Sequence, residues 1–272
     1  MSIRQFFREG VDFIHQIYLN RRLIYELTKR DFKTKYIKNL FGLSWAIMEP
    51  LAMILILYIV FTVIYSQPKD SEYPLVVFML CGLVAYDYFN KTINQATRSI
   101  QSFSFLIRQV NFRIAVLPLI MILSELIIHF IVLLIVIAIL LINHVAPSFY
   151  WLQIFYFIFA ASVLLLGISW FTASVLLFFP DIYMIISIVM RVLFFMTPIF
   201  WNAAKVSPKY LLILKINPIF YLAEGYRMCF LYHKPFWSDL TGTLIFWGIT
   251  LFFFLLGVFV FKRLRPQFAD VI

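Results

Sequence analysis

The chain has 272 residues, of which 63% are hydrophobic and only 13% charged, with a formal net charge of +10. A soluble domain of this length could not hide so much apolar surface, so the composition excludes a soluble globular protein and indicates a polytopic membrane protein. The basic excess decides little about partners, because membrane proteins are commonly basic on their inner side.

Residues 1–19 interleave Ile3, Phe6, Phe7, Phe13, Ile14 and Ile17 with Arg4, Arg8, Glu9 and Asp12. That stripe predicts an amphipathic helix lying in the membrane interface. It does not read as a cleavable signal, which needs a continuous apolar stretch. No lipidation is expected, since Ser2 stands where myristoylation needs Gly. Next comes a dense basic segment, Lys29, Arg30, Lys33, Lys35 and Lys38, interrupted by Asp31 and Tyr36. It suits anionic lipid headgroups, or docking of a cytoplasmic protein.

Six apolar segments are long enough to cross a bilayer: residues 43–65, 74–89, 114–142, 149–179, 182–200 and 240–261. The second is the shortest, with room to extend through Asn90 and Ile93. The third and fourth exceed a bilayer core, so tilting or projection is expected. Pro50 allows the first to bend. Between the fifth and sixth lie two apolar pieces too short to span, 210–214 and 217–227, and Asn217-Pro218 reads as a helix start. The expected fold is therefore an all-α polytopic membrane protein with six transmembrane helices. An N-terminal amphipathic interface helix precedes them, and two short re-entrant outer helices precede the last span. Residues 1–272 form one transmembrane domain: 1–42 cytoplasmic interfacial helices, 43–200 spans one to five, 201–239 outer re-entrant helices, 240–272 last span and cytoplasmic tail.

Orientation follows from Lys and Arg placement. Residues 1–42 carry nine such side chains, the segment after the second span has Lys91, Arg98, Arg108 and Arg113, and the tail has Lys262, Arg263 and Arg265. Both termini are thus expected in the cytoplasm. The exception is 201–239, expected outside yet holding Lys205, Lys209, Lys215, Arg227 and Lys234.

No nucleotide-binding P-loop, metalloprotease motif or nucleophile elbow occurs, so no catalytic site, metal or cofactor is expected in this chain. Cys81 and Cys229 are expected to be free and packed. Charged groups inside spans are costly and are candidate functional residues: Glu49, Asp87, Glu125 and Arg191. Glu125 and His129 lie four apart on one helix face, which fits mutual hydrogen bonding. Arg191 has three readings: pairing with Glu49, pairing with Glu125, or reaching toward the interface. Trp and Tyr near span ends, such as Trp45, Tyr150 and Trp201, fit interfacial belts. Sugar rings also pack on aromatic faces, so some aromatic residues could line a sugar path. The candidates are Trp45, Phe194, Phe195, Trp201 and Tyr221.

Five motifs in order carry a family resemblance. Lys29-Arg-Asp-Phe-Lys-Thr-Lys-Tyr36 followed by Leu40-Phe-Gly-Leu-Ser-Trp45 and Pro50 is similar to the opening of permeases of type 2 ATP-binding-cassette exporters for lipid-linked polysaccharides. Phe78 to Phe89 resembles the family's F-x-x-G-L-x-x-W-x-x-F, with Tyr86 for Trp, and Leu106 to Pro118 resembles its L-I-x-K-x-x-F-P pattern, with Arg113 for Pro. Thr197-Pro-Ile-Phe-Trp201 and Asn217 to Arg227 match its outer-side motifs, while Phe179-Pro180-Asp181 departs from the usual Arg-Asp. The resemblance implies a homodimer, two copies of a separate cytoplasmic ATPase that binds ATP and Mg, and no nucleic-acid partner. It also implies ATPase coupling through Lys29, Arg30, Asp31, Lys33 and Tyr36, and through a coupling helix holding Gln101, Phe105, Arg108 and Phe112. The opening segment is most like wall teichoic acid exporters, with O-antigen or capsular polysaccharide as the alternative cargo. An ion-coupled transporter or a membrane enzyme acting on lipid-linked sugars remains as a reading of another class.

Overall fold

The computed structural model describes residues 15, 17–37, 41–42, 44–64, 73–104 and 113–271. Most of the expected interface helix over residues 1–19 and most of the expected coupling helix lie outside them. Among the described residues every regular element is helical.

Helix α1 (Arg21–Ile37) turns Ile24, Leu27 and Thr28 inward at helical spacing and leaves Lys29, Arg30 and Lys33 exposed. It packs along α4 (Leu117–Ile142). Helix α2 (Ser44–Tyr58) contains Pro50 and continues as a π-helical stretch, Ile59–Ile64. Helix α3 (Leu75–Thr97) is followed by a short turn of helix, Ser99–Ser102. Helix α5 (Ile154–Leu176) opens on a 3₁₀ turn, Phe149–Gln153, whose Tyr150 amide donates to the Ser148 hydroxyl. Helix α6 (Ile182–Met196) is only 15 residues long. Two short helices follow, α7 (Pro208–Leu214) and α8 (Pro218–Arg227), before α9 (Leu240–Leu264) closes the bundle.

Among the described residues, four stretches are long and apolar enough to cross a membrane: Leu75–Thr97, Ile114–Ile142, Phe149–Leu176 and Leu240–Gln267. The two shorter apolar helices are Ile47–Phe61 and Ile182–Met196. The second apolar segment is therefore not the shortest. It runs on through Asn90, Lys91 and Asn94 to Thr97, because these polar groups face protein and not lipid. Asn94 Nδ2 donates to the Asn90 carbonyl at 2.7 Å, and Thr97 Oγ1 lies 2.9 Å from Thr172 Oγ1. Lys91 consequently belongs to a helix and not to a loop.

The core gathers α3, α4, α5, α8 and the inner side of α9. Helices α5 and α9 cross with their backbones nearly touching. A β-carbon at Gly167 would lie 2.8 Å from the Phe254 backbone, and one at Gly257 would collide with the Gly167 carbonyl. Small residues at such crossings let helix backbones approach where lipid supplies no hydrophobic drive. Cys81 and Cys229 are free and buried.

Candidate functional site

Lys35 bonds α1 into the bundle. Lys35 Nζ lies 2.8 Å from Glu125 Oε1 and 2.7 Å from Asp31 Oδ2, and donates to Ser124 Oγ at 3.4 Å. Glu125 is only 5% exposed. The expected Glu125–His129 hydrogen bond does not form: a buried carboxylate gains more from an ammonium than from a neutral ring. His129, one turn along α4, instead places Nε2 2.8 Å from the Tyr226 hydroxyl, with the Tyr88 ring 4.5 Å from its own. Tyr88 in turn shares a 2.9 Å hydrogen bond with Ser162.

Lys29, Arg30 and Lys33 stand on the exposed face of α1, and Lys29 Nζ lies 5.8 Å from the Tyr25 ring. Asp31 faces inward to Lys35. Gln101 is exposed on the turn after α3. The Tyr36 side chain and Phe105, Arg108 and Phe112 lie outside the described residues.

Glu49, the acid within the first apolar segment, is 2.9 Å from Lys91, which also meets Asp87 at 3.1 Å. One ammonium thus serves two carboxylates from α2 and α3. Arg191 is exposed on α6 and meets neither Glu49 nor Glu125, which are held by Lys91 and Lys35.

Of the aromatic candidates, Phe194, Phe195 and Trp201 come together at the end of α6. Phe194 packs 4.8 Å from Tyr86 and 5.3 Å from Phe195, and Trp201 Nε1 donates to the Phe195 carbonyl at 3.4 Å. Phe195 is 73% exposed. Trp45 is exposed on α2, edge-on to Phe41. Tyr221 is buried instead: it stacks 4.7 Å from Phe246, and its hydroxyl lies 3.1 Å from both Tyr156 Oη and Thr243 Oγ1.

Two further sequence motifs are locked to each other. Asn217 Oδ1 caps α8 by accepting from Ile219 N at 3.0 Å, as the Asn-Pro start suggests, while its Nδ2 donates to Thr197 Oγ1 at 2.9 Å. The Thr197 hydroxyl in turn donates a hydrogen bond to the Leu193 carbonyl at 2.7 Å. Arg227 is fully buried. Its guanidinium donates to Glu224 Oε1 at 2.7 Å and to the Phe78 and Ile199 carbonyls at 3.2 Å each, and it lies 3.6 Å from the Phe78 ring centroid. Burial pushes the Glu224 carboxyl above its ordinary range, and the Arg227 charge pulls against that rise. Lys215 is held by both Asp239 oxygens at 2.8 Å. Two of the basic residues that made 201–239 anomalous are therefore neutralised within the fold.

Sequence reasoning missed Lys35, Tyr226 and Arg227 as site residues. The signal for two of them was present: Asp31–Lys35 and Glu224–Arg227 are helical i,i+4 and i,i+3 pairs. Among the described residues no group of three or more His, Cys, Asp or Glu could hold a metal.

The fold is that of an all-α polytopic membrane protein whose polar chemistry ties helices together. The chain belongs to the ABC-2 type transporter family, whose model matches residues 22–231. An O-antigen export system permease protein RfbA of Klebsiella pneumoniae is 26% identical over 261 residues, covering 92% of this chain and 95% of that protein. A second Klebsiella pneumoniae RfbA is 24% identical over the same coverage, and RfbA of Myxococcus xanthus is 21% identical, covering 95% of this chain and 98% of its own length. Permeases of this family are non-catalytic transport subunits, and this chain is a multi-pass protein of the plasma membrane.

Proposed function

We propose that this chain is the membrane subunit of an ATP-driven exporter that moves a lipid-linked polysaccharide of the O-antigen type from the inner to the outer leaflet. The observation that carries this reading is the likeness, over nearly the whole chain, to permeases named for O-antigen export. Those names favour O-antigen over wall teichoic acid, to which the opening segment pointed. Capsular polysaccharide, also a lipid-linked glycan, is the alternative cargo.

The working unit we propose is two copies of this chain with two copies of a separate ATPase that binds ATP and Mg. Helices α2 to α6 serve as spans one to five and α9 as the sixth, with both termini in the cytoplasm. Helices α7 and α8 dip into the outer leaflet. The internal pairing of Lys215 and Arg227 supports this orientation, because it leaves fewer free cations outside. The exposed face of α1, with Lys29, Arg30 and Lys33, offers a basic surface beside the ATPase, while Asp31 acts through Lys35. Tyr36, Gln101, Phe105, Arg108 and Phe112 complete the proposed coupling surface. Phe194, Phe195, Trp201 and Trp45 line the proposed path, and Tyr221 supports its outer end. Single-domain organisation over 1–272 is part of the same reading.

The test is co-purification in nanodiscs with the neighbouring ATPase, followed by hydrolysis measurements with added lipid-linked polymers. Bound ATPase stimulated by undecaprenyl-diphosphate-linked O-antigen is the expected outcome. A chain that captures no ATPase overturns the exporter reading; stimulation by teichoic acid alone overturns the cargo.

A further inference from the structure

Helix α4 buries Ser124, Glu125 and His129 inside its membrane-spanning stretch; the first two meet α1 and the third meets a different element. Glu125 and His129 are 5% and 4% exposed. They sit four residues apart on one face, about 6 Å along the axis. Polar groups at such depth are costly unless they hold something. Glu125 holds α1 through Lys35 at 2.8 Å, with Asp31 completing the cation's shell at 2.7 Å. His129 holds the end of α8 through the Tyr226 hydroxyl at 2.8 Å, and the Tyr88 ring backs the imidazole. Tyr226 is followed by Arg227, which ties the same helix to α3 and to the Ile199 carbonyl.

The two ends of this line differ in stiffness. The α1 end is an ion pair that a second carboxylate reinforces. Past Tyr226, α8 gives way to a π-helical stretch, Met228–Tyr232, closed by His233 in a left-handed conformation at φ 48°. A π-helical turn is a place where a helix can change register with few bonds lost. A movement arriving at Tyr226 thus meets a segment able to take it up.

The geometry points to α4 as a polar strut that couples the basic interfacial helix α1 to the outer helix α8, with Lys35–Glu125 and His129–Tyr226 as its two joints. Displacing α1 repositions the end of α8, whose joint lies about one helical turn farther along α4. In an exporter, such a strut would carry movement from the motor side to the exit side. That significance rests on the exporter reading, but the coupling itself is a property of the chain alone.

Hydrogen–deuterium exchange of the permease in nanodiscs tests it, comparing wild type with Glu125→Gln and Tyr226→Phe. Glu125→Gln keeps an acceptor for Lys35 but removes the charge. Tyr226→Phe removes a single oxygen and preserves the packing, so it serves if the first variant fails to fold. Glu125→Gln is expected to speed exchange over 21–37 by about tenfold and over 218–232 by at least about threefold. Tyr226→Phe is expected to do the reverse, since coupling between two sites is reciprocal. Variants that each loosen only their own end overturn the strut, because a merely local contact gives that pattern. Propagated exchange in a chain that captures no ATPase would keep the strut and remove the exporter reading.

Discussion

Replacing Arg227 by Met removes the most deeply buried charge in the described chain. Its side chain is fully buried and donates to three acceptors: Glu224 Oε1 and the carbonyls of Phe78 and Ile199. Met has comparable volume, so packing survives while three acceptors lose their donor. Breaking a buried ion pair by deleting one partner costs about 3–5 kcal/mol, because the other charge stays behind uncompensated. For a chain of this size each kcal/mol moves the midpoint by roughly 2–4 °C, so thermal unfolding should fall by about 10 °C. Glu224→Gln keeps an acceptor but leaves the fully buried Arg227 guanidinium without its counter-charge, and should cost a comparable amount, about 3–5 kcal/mol. In the double variant no charge is stranded, so it should be more stable than the summed single effects by about 1–2 kcal/mol. Intrinsic tryptophan fluorescence of detergent-solubilised protein, heated in parallel, reads all three. Should Arg227→Met melt within about 2 °C of wild type, the account of Arg227 as a structural tie is wrong.

Lys91→Met leaves the carboxylates of Glu49 and Asp87 facing each other without a cation, and should lower the melting midpoint clearly more than Glu49→Gln. Glu49 is 60% exposed, so its own neutralisation should cost less than about 1 kcal/mol. Thr197→Val strips both the acceptor for Asn217 Nδ2 and the donor to the Leu193 carbonyl, at about 1–3 kcal/mol; Thr197→Ser should restore most of it in the same melt. Gly257→Leu forces α5 and α9 apart and should abolish the monodisperse peak in size-exclusion chromatography, whereas Gly248→Leu, where a β-carbon meets open space, should leave it intact.

Hydropathy alone located the long helices well, because lipid demands long unbroken apolar runs. It left the end of α3 open, allowing an extension through Asn90 and Ile93 that the helix makes and carries on to Thr97, past Asn90, Lys91 and Asn94, which interrupt the apolar run. Asn90 and Asn94 bond each other one turn apart and Lys91 meets Asp87 on the same helix, but Glu49, the other partner of Lys91, arrives from α2, and no local pattern reveals that. The Asn217-Pro218 start was legible because capping is a local event settled within three residues. The Glu125–His129 pairing was misjudged for the opposite reason. Helical spacing shows which residues share a face, and it is silent on a lysine arriving from α1 or a tyrosine from α8. The grouping of Phe194, Phe195 and Trp201 followed from their nearness in sequence, whereas the burial of Tyr221 depended on α5 and α9 closing over it.

Helix α6 is a short rod. Its 15 residues cover about 22 Å, some 8 Å less than the hydrocarbon layer of a typical bilayer. As the proposed fifth span, it would draw the two leaflets together around itself, a local thinning that costs only fractions of a kcal/mol per Å. Arg191 stands five residues from the helix end at Met196, roughly 8 Å along the axis. A thinned leaflet brings water and phosphate headgroups down within reach of its long side chain. The exposed guanidinium then needs no carboxylate from this chain, and the same dimple shortens the apolar distance that any polar headgroup beside α6 has to cross.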